Sequence, residues 1–241
     1  KTQTNIELLI LSRYGNIINN FNSEMLDGAF FGSFTGALAI QKLGVEPLAR
    51  PEYPDGISTY YGMILVRKDS GIETAQEMKG KRFAFVDKAT TAGWLLPLHY
   101  FQEGGISEHQ TWLGETYFTG THEDAIYDVL RGEADAGAAK STVFSRLAKA
   151  DSRILEELEI LAASPPVPAN ALLIRGDLQE TLKKELQKAL LGMDSDPEGQ
   201  RILEAFGANR FIVTSVSDYQ PVFEYARHAG LDLTTYDYLN E

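Results

Sequence analysis

The chain has 241 residues, of which 44% are hydrophobic, and a formal net charge of −12 at pH 7. This length can bury one large core or two modest ones, and two lobes of about 100 to 150 residues each would fit it. The negative charge argues against nucleic acid and anionic lipid as partners, because a phosphate-rich surface would be repelled, but it does not exclude a small anion in a pocket.

Strand-like and helical segments alternate along the chain, which predicts an α/β fold with mostly parallel sheets and flanking helices. The first half contains the following predicted elements in chain order: a buried strand over Ile6 to Leu11, a helix over Tyr14 to Phe21, a strand over Ala29 to Phe31, a helix over Phe34 to Leu43 ended by Gly44, a strand over Met63 to Arg67, a short helix capped by Thr74 and ended by Gly80, and a strand over Arg82 to Val86.

The later elements are predicted from capping residues and apolar spacing. They are a helix over Glu123 to Arg131 capped by Thr121, a strand over Ala134 to Ala139, a helix capped by Asp177, a helix that starts at Asp196 and Pro197 and ends at Gly207, and a last helix with a capping box of Ser217 and Gln220.

The strongest candidate site lies where the strand Arg82 to Val86 runs into a helix opened by Thr90 and Thr91. Unpaired N–H groups, two hydroxyls and the positive end of a helix dipole meet there, which favours a small anion. A threonine at a helix start is more often only a cap, but a cap needs one hydroxyl, not two. Pro97 cannot donate a helical hydrogen bond, so we expect a kink or a late helix start near it.

Further candidates lie at strand ends and helix starts, where ligands gather in α/β folds. His122 opens the Thr121 helix, whose dipole favours a neutral N–H donor, or a cation offset by a bound anion. Lys140 follows a strand of small residues and is a plausible anion contact, although an exposed lysine is the commoner outcome. The hydroxyls of Tyr14 and Tyr60 could reach a polar ligand. For Asn170, a ligand contact and a turn role are both open.

Several other chemistries lack their signals. A calcium-like run at Asp194 has Ala205 at its twelfth position, and the histidines lack metal-ligand spacing. Dinucleotide, phosphate-loop and nucleophile-elbow motifs are missing. A chain without cysteine has no disulfide and suits a secreted or periplasmic protein. We therefore expect no catalytic residue, metal or cofactor. We also expect no transmembrane segment, since no uncharged stretch, Gly28 to Ile40 included, approaches the roughly 18 apolar residues of a membrane span.

Over nearly all of its length the chain resembles the phosphonate, phosphite and phosphate solute-binding proteins of bacterial ABC importers. Each matching motif is modest alone, but their order along the chain is specific. The motifs are GVEPLA (Gly44 to Ala49), YYGMILVRKDSGI (Tyr60 to Ile72), KGKRFAF (Lys79 to Phe85), TTAGWLLP (Thr90 to Pro97), FTGTHEDA (Phe118 to Ala125), SPPVP (Ser164 to Pro168) and DPEG (Asp196 to Gly199).

The resemblance implies a two-lobed type II periplasmic-binding fold that closes on its ligand. It implies lobe 1 over residues 1–66 and 171–241 and lobe 2 over residues 67–170. It begins at the family's second strand, so we expect that the first lobe lacks its opening strand and helix, that the natural protein has upstream sequence, and that the protein is periplasmic or extracellular, with or without an anchor upstream.

The same resemblance implies the ligand contacts. The oxyanion cradle falls on Thr90 and Thr91 with the N–H groups of Ala92 and Gly93, the pocket histidine on His122, and the aromatic contacts on Tyr14 and Tyr60. Four positions depart from the family pattern and tilt the ligand from 2-aminoethylphosphonate towards a compact or more anionic one: Ser33 for a proline, Ala92 for a hydroxyl residue, Lys140 for a small polar residue, and Asn170 for an acid.

The leading hypothesis is a monomeric solute-binding protein that captures a phosphorus oxyanion for an ABC permease. A second hypothesis is the sensory ectodomain of a membrane receptor such as a histidine kinase, with signalling domains as partners. A third is a small-molecule enzyme on the same fold, which ranks last because the pocket residues lack an acid–base pair.

Overall fold

A computed structural model of the chain describes residues 5–10, 17–23 and 25–238. Its helices are α1 Ile17–Ser23, α2 Ser33–Leu43, α3 Leu96–Glu103, α4 His109–Trp112, α5 His122–Leu130, α6 Ser141–Ala150, α7 Arg153–Glu157, α8 Glu180–Leu191, α9 Pro197–Phe206 and α10 Gln220–His228. Its strands are β1 Gly28–Phe31, β2 Val45–Glu52, β3 Thr59–Tyr60, β4 Gly62–Arg67, β5 Arg82–Phe85, β6 Glu115–Phe118, β7 Ala136–Lys140, β8 Leu158–Ala163, β9 Val167–Pro168, β10 Ala171–Arg175 and β11 Arg210–Val213.

The chain folds into two compact units. Unit 1 contains the described residues up to Thr59 together with Val167–Gln220, and unit 2 contains Tyr60–Pro166 together with the described residues from Pro221 onwards. These bounds differ from the predicted lobes at residues 60–66, 167–170 and 221–238. β4 belongs to unit 2 because it pairs with β7 and β8. The chain end belongs there because α10 packs on α3, with the rings of Tyr225 and His99 4.3 Å apart.

Unit 1 contains a four-stranded sheet in the order β1-β10-β2-β11. Every pair in it is antiparallel, so the prediction of mostly parallel sheets is wrong here. The reason is that β10 inserts between β1 and β2 and runs opposite to both. Helices α2 and α8 pack on this sheet, which agrees with the predicted α/β class and flanking helices.

Unit 2 contains a five-stranded sheet in the order β6-β5-β7-β4-β8. β5 is parallel to both of its neighbours, whereas β4 is antiparallel to β7 and β8. One edge of the sheet therefore gathers the carboxyl ends of β6, β5 and β7 together with the start of β4. Side chains from α5, among them Ile126 and Val129, pack on the sheet residues Leu65 and Ala84 to form the core.

The local helix signals are largely confirmed. Gly44 ends α2 in the left-handed conformation with φ 63°, and Thr121 caps α5 by accepting a hydrogen bond from Asp124 N at 2.9 Å. Thr74 forms a capping box with Glu77. These devices act within a few residues along the chain, so the sequence is sufficient to locate them.

The predicted strand over residues 6–11 is wrong for residues 6–10, and residue 11 lies outside the described residues. No strand is formed there, and the apolar side chains are exposed, with Ile6 at 69%, Leu8 at 86% and Ile10 at 84%. A β-strand needs a neighbour to satisfy its backbone groups, and the unit 1 ladders do not include this segment. Of the predicted helix over residues 14–21, the part from Ile17 is present in α1.

Two predicted caps are also wrong. Asp177 does not cap α8, which begins at Glu180, because its carboxylate pairs with Arg175 at 2.7 Å. The capping box predicted for Ser217 and Gln220 is instead formed by Ser215 and Asp218. It lies on a short 3-10 turn, and α10 begins only after this turn. Among the helices that the structure describes, none combines the length and the apolar character that a membrane crossing requires.

Candidate functional site

The sequence candidates in unit 2 converge on the sheet edge where the parallel strands end. The turn of residues 86–93 follows β5, the loop of residues 119–122 follows β6, and Lys140 ends β7. Tyr60 lies just before β4, which starts at this same edge because it runs antiparallel to β7. In α/β sheets this is the edge at which helix starts and ligands meet.

The turn after β5 is held by its own hydrogen bonds. The Asp87 carboxylate accepts from Ala89 N at 2.7 Å, and the Asp87 carbonyl accepts from Thr90 N at 3.0 Å and from the Thr90 hydroxyl at 2.6 Å. The hydroxyl proton of Thr90 therefore braces the turn in this structure, and the Thr90 oxygen is left as an acceptor. Hydrogen bonds donated to an anion would therefore come from the helix start that follows.

That helix starts with a π-helical turn, Thr91–Leu95, which continues directly into α3. Pro97 is the second residue of α3, in agreement with the irregular start predicted from it. The first N–H groups of a helix have no intrahelical acceptor, and π-turns are frequent at functional sites. Thr91 and Ala92 are only 3% and 1% exposed, so a group bound by them would be shielded from water.

Two glycines permit the close packing at this edge. Val86 N donates to Gly93 O at 3.1 Å, and a Cβ on Gly93 would lie only 2.3 Å from the Cβ of Val86. A Cβ on Gly62 would lie 2.9 Å from the Cα of Ala92. Since Gly62 faces Lys140 across the β4–β7 ladder, this contact places the helix start beside the end of β7.

His122 is neutral in this setting. It is the first residue of α5 and is partly buried, and its Nδ1 atom is buried without a hydrogen bond to any residue that the structure describes. Burial, and to a smaller extent the nearby charge of Lys140, lowers the pKa of His122 to about 3. A neutral imidazole can donate one hydrogen bond and accept another.

Lys140 supplies positive charge at the same edge. Its Nζ atom lies 4.0 Å from the centroid of the Tyr60 ring, a cation–π distance. The side chain is partly buried, and this burial lowers the pKa of Lys140 to about 8. Lys140 therefore remains mostly protonated at neutral pH, but its charge is incompletely hydrated.

Two of the predicted residues lie in unit 1. Ser33 is the first residue of α2 and is buried, and the Asn170 side chain is close by, since a Cβ on Gly32 would lie 3.8 Å from Asn170 Oδ1. Ser33 and Asn170 are thus brought together at the start of α2. Tyr14, the remaining predicted contact, lies outside the described residues.

The sequence did not indicate the residues that hold the segment before β4. Ser141 Oγ accepts from Tyr61 N at 3.1 Å, and Ser164 Oγ accepts from Gly62 N at 2.9 Å. These serines are 80 and 102 residues away from their partners, so only the sheet register reveals them. Across the described residues, no group of three or more His, Asp or Glu side chains is arranged to hold a metal ion.

Together these groups form an edge that suits an anion. It presents backbone N–H donors at a helix start, a neutral imidazole and one lysine ammonium group, and it is partly screened from water. Charge-assisted hydrogen bonds are about twice as strong as neutral ones, and a helix N-terminus adds to them.

A family model described as "ABC transporter, phosphonate, periplasmic substrate-binding protein" matches residues 1–219. The phosphonates-binding periplasmic protein of Escherichia coli K12 is 25% identical over 218 residues, which cover 88% of this chain and 64% of that protein. The chain thus spans less than two thirds of the length of that relative. The probable ABC transporter phosphite binding protein PhnD1 of Prochlorococcus marinus is 25% identical over 222 residues, covering 87% of this chain and 74% of that protein.

Solved structures show the same fold. PhnD1 of Prochlorococcus marinus in complex with methylphosphonate has a TM-score of 0.73 at 24% identity, covering 91% of this chain and 84% of that one. A binding protein component of an ABC phosphonate transporter from Pseudomonas aeruginosa has a TM-score of 0.74 at 20% identity, covering 90% of this chain and 73% of that one. These likenesses confirm the predicted two-lobed α/β fold of periplasmic binding proteins.

Gly93→Ala should destabilise unit 2, because the added methyl group would overlap Val86 and force the turn away from β5. We expect a loss of about 1 to 3 kcal/mol in the free energy of unfolding, measured by urea denaturation. The matched control is Gly32→Ala, since a Cβ on Gly32 approaches its nearest atom only to 3.6 Å and its φ of −67° suits alanine. Equal stability of both variants would contradict the close approach at Gly93.

The low pKa of Lys140 should make its contribution to stability depend on pH. Between about pH 8 and the ordinary lysine pKa of about 10.4, the unfolded chain binds more protons than the folded one, so stability rises with pH. We therefore expect Lys140→Met to be more stable than the wild type at pH 7, with the difference shrinking above pH 8. The control Lys149→Met, at an exposed lysine on α6, should show no such trend. A pH-independent difference would contradict this assignment.

Proposed function

This chain belongs to the family of periplasmic substrate-binding proteins of phosphonate ABC transporters, and we propose that it captures a small phosphorus oxyanion, namely a phosphonate, phosphite or phosphate, for delivery to an ABC permease. The observation that carries the proposal is the helix start at residues 91–93, which lies at the end of β5 and beside Lys140. The family description, which names phosphonate and a periplasmic location, supports the same reading.

Unit 2 offers the groups that such a ligand needs. The N–H groups at the start of the Thr91 helix would bind the ligand oxygens, Lys140 would offset one negative charge, and neutral His122 would complete the shell of hydrogen bonds. Each charge-assisted hydrogen bond contributes roughly 1.5 to 3 kcal/mol. Four or five of them could offset the costs of ordering and desolvation and leave micromolar binding, which requires about 8 kcal/mol.

The named ligands of the relatives agree with this chemistry. One relative is named for phosphonates and another for phosphite, and a solved structure contains methylphosphonate. All of these ligands contain a tetrahedral phosphorus oxyanion group. The same names describe transport proteins, which favours transport over the sensory alternative.

The individual ligand contacts are proposed from the same site. We take Thr91, Ala92, Gly93, His122 and Lys140 as ligand contacts, with Tyr60 supporting Lys140 and Thr90 bracing the turn. The contacts predicted in unit 1, Ser33 and Asn170, rest on the family resemblance, as does Tyr14. We further propose that the protein acts as a monomer in the periplasm or outside the cell and releases its ligand unchanged.

Calorimetric titration with phosphate, phosphite, methylphosphonate and sulfate tests the proposed function. We expect at least one phosphorus oxyanion to bind with a dissociation constant at or below the micromolar range, and sulfate serves as the comparison anion without phosphorus. The protein must first be freed of any ligand that co-purifies, for example by unfolding and refolding. An absence of binding to all three phosphorus oxyanions would overturn the proposal, whether or not sulfate binds.

Thr91→Val should weaken the binding of the tightest of these anions by about tenfold, because it removes one hydroxyl hydrogen bond while keeping the side-chain shape. Titration of the variant measures this loss. Thr111→Val is a matched control: Thr111 is exposed on α4, and its hydroxyl donates to the Glu108 carbonyl at 3.1 Å, away from the sheet edge. If both variants bind as the wild type does, Thr91 is only a structural residue.

A further inference from the structure

The positive charge of Lys140 is not neutralised by an acidic partner. Within the part of the chain that the structure describes, no carboxylate forms an ion pair with it. Its contact is the face of Tyr60, 4.0 Å from Nζ. A cation–π contact stabilises an ammonium group but leaves its net charge in place.

The acidic residues of the neighbouring helix α5 are engaged elsewhere. The Glu123 carboxylate binds Arg146 of α6 at 2.8 Å. The Asp124 carboxylate accepts from the Thr121 hydroxyl at 2.6 Å. The Asp128 carboxylate accepts from the Tyr117 hydroxyl at 2.9 Å. The helix that brings neutral His122 near Lys140 therefore supplies no ion-pair partner to Lys140.

The turn after β5 adds one charge of each sign. Asp87 uses its carboxylate to hold Ala89 N, and the Nζ atom of Lys88 lies 5.8 Å from the centroid of the Phe118 ring. Burial, and not a nearby charge, accounts for the lowered pKa of Lys140. At the end of β7, Lys140 is therefore a cation without an ion-pair partner among the described residues, and its charge is only partly hydrated.

We propose that Lys140 selects the charge class of the ligand: it favours compact oxyanions with two negative charges and no amine, and it disfavours aminoalkyl phosphonates. This inference rests on the proposed function, which concerns phosphorus oxyanions in general. Lys140 offsets one charge of a dianion, and the helix start at Thr91 offsets much of the second.

An amine on the ligand changes this balance. A ligand ammonium group near Lys140 would meet a like charge, and the acids of α5 are already committed to other partners. Like charges in a partly desolvated site repel more strongly than in water. The charge of Lys140 therefore lowers the affinity for a zwitterionic ligand and raises the affinity for a dianion.

Calorimetry with methylphosphonate and 2-aminoethylphosphonate tests the inference. At neutral pH, we expect the wild type to prefer methylphosphonate by about tenfold or more, which is the scale of one charge-assisted contact. Lys140→Met should bind methylphosphonate about tenfold more weakly and 2-aminoethylphosphonate no more weakly than the wild type. Lys140→Arg should keep the preference, and Lys149→Met should behave as the wild type.

A wild type that binds both ligands equally, or that prefers the amine, would overturn the inference even if Lys140→Met does not fold. Equal weakening of both ligands in Lys140→Met would also overturn it. These results leave the proposed function standing provided that methylphosphonate binds. If the wild type binds no phosphorus oxyanion at all, the proposed function fails and this inference fails with it.

Discussion

The site depends on one backbone constraint: the chain leaving β5 must return against Val86 before it starts a helix. Val86 N reaches Gly93 O at 3.1 Å, and only a residue without a side chain allows this approach. The Asp87 carboxylate and the Thr90 hydroxyl fix the intervening turn. The helix start is thereby held at the sheet edge, beside the end of β7, and not left to a mobile loop. Positions fixed in this way need little further ordering when a ligand binds.

A protein with a net charge of −12 can bind an anion because charge acts locally. At physiological salt, exposed charges are screened beyond about 8 Å. Near the end of β7, Glu123 is paired with Arg146, while Lys140 contacts an aromatic face and keeps its charge. The overall negative charge thus acts on large phosphate-rich partners, whereas the groups at the sheet edge would act on a small ligand. The two effects do not conflict.

The sequence predicted features that depend on neighbouring residues and missed those that depend on distant ones. Gly44, Thr121 and Pro97 act within one or two turns, and all three are confirmed. The hydrogen bond between Ser164 and Gly62 could not be predicted from sequence, because the two residues meet only through the register of β4 and β8. The antiparallel sheet of unit 1 was missed for the same reason, since alternating strands and helices do not specify where β10 inserts. Residues 6–10 have the apolar pattern of a strand, but the pattern does not show whether a partner strand is present to pair with them.

The division of roles between His122 and Lys140 could not be predicted from sequence either, and it determines how the site responds to acidity. Both residue types can carry charge, but burial beside Lys140 lowers the pKa of His122 to about 3, while the pKa of Lys140 stays at about 8. Between about pH 4 and 7, therefore, neither group changes its charge. Over that range these two groups contribute a constant charge, so a pH dependence of binding should come from the protonation of the ligand and not from His122 or Lys140.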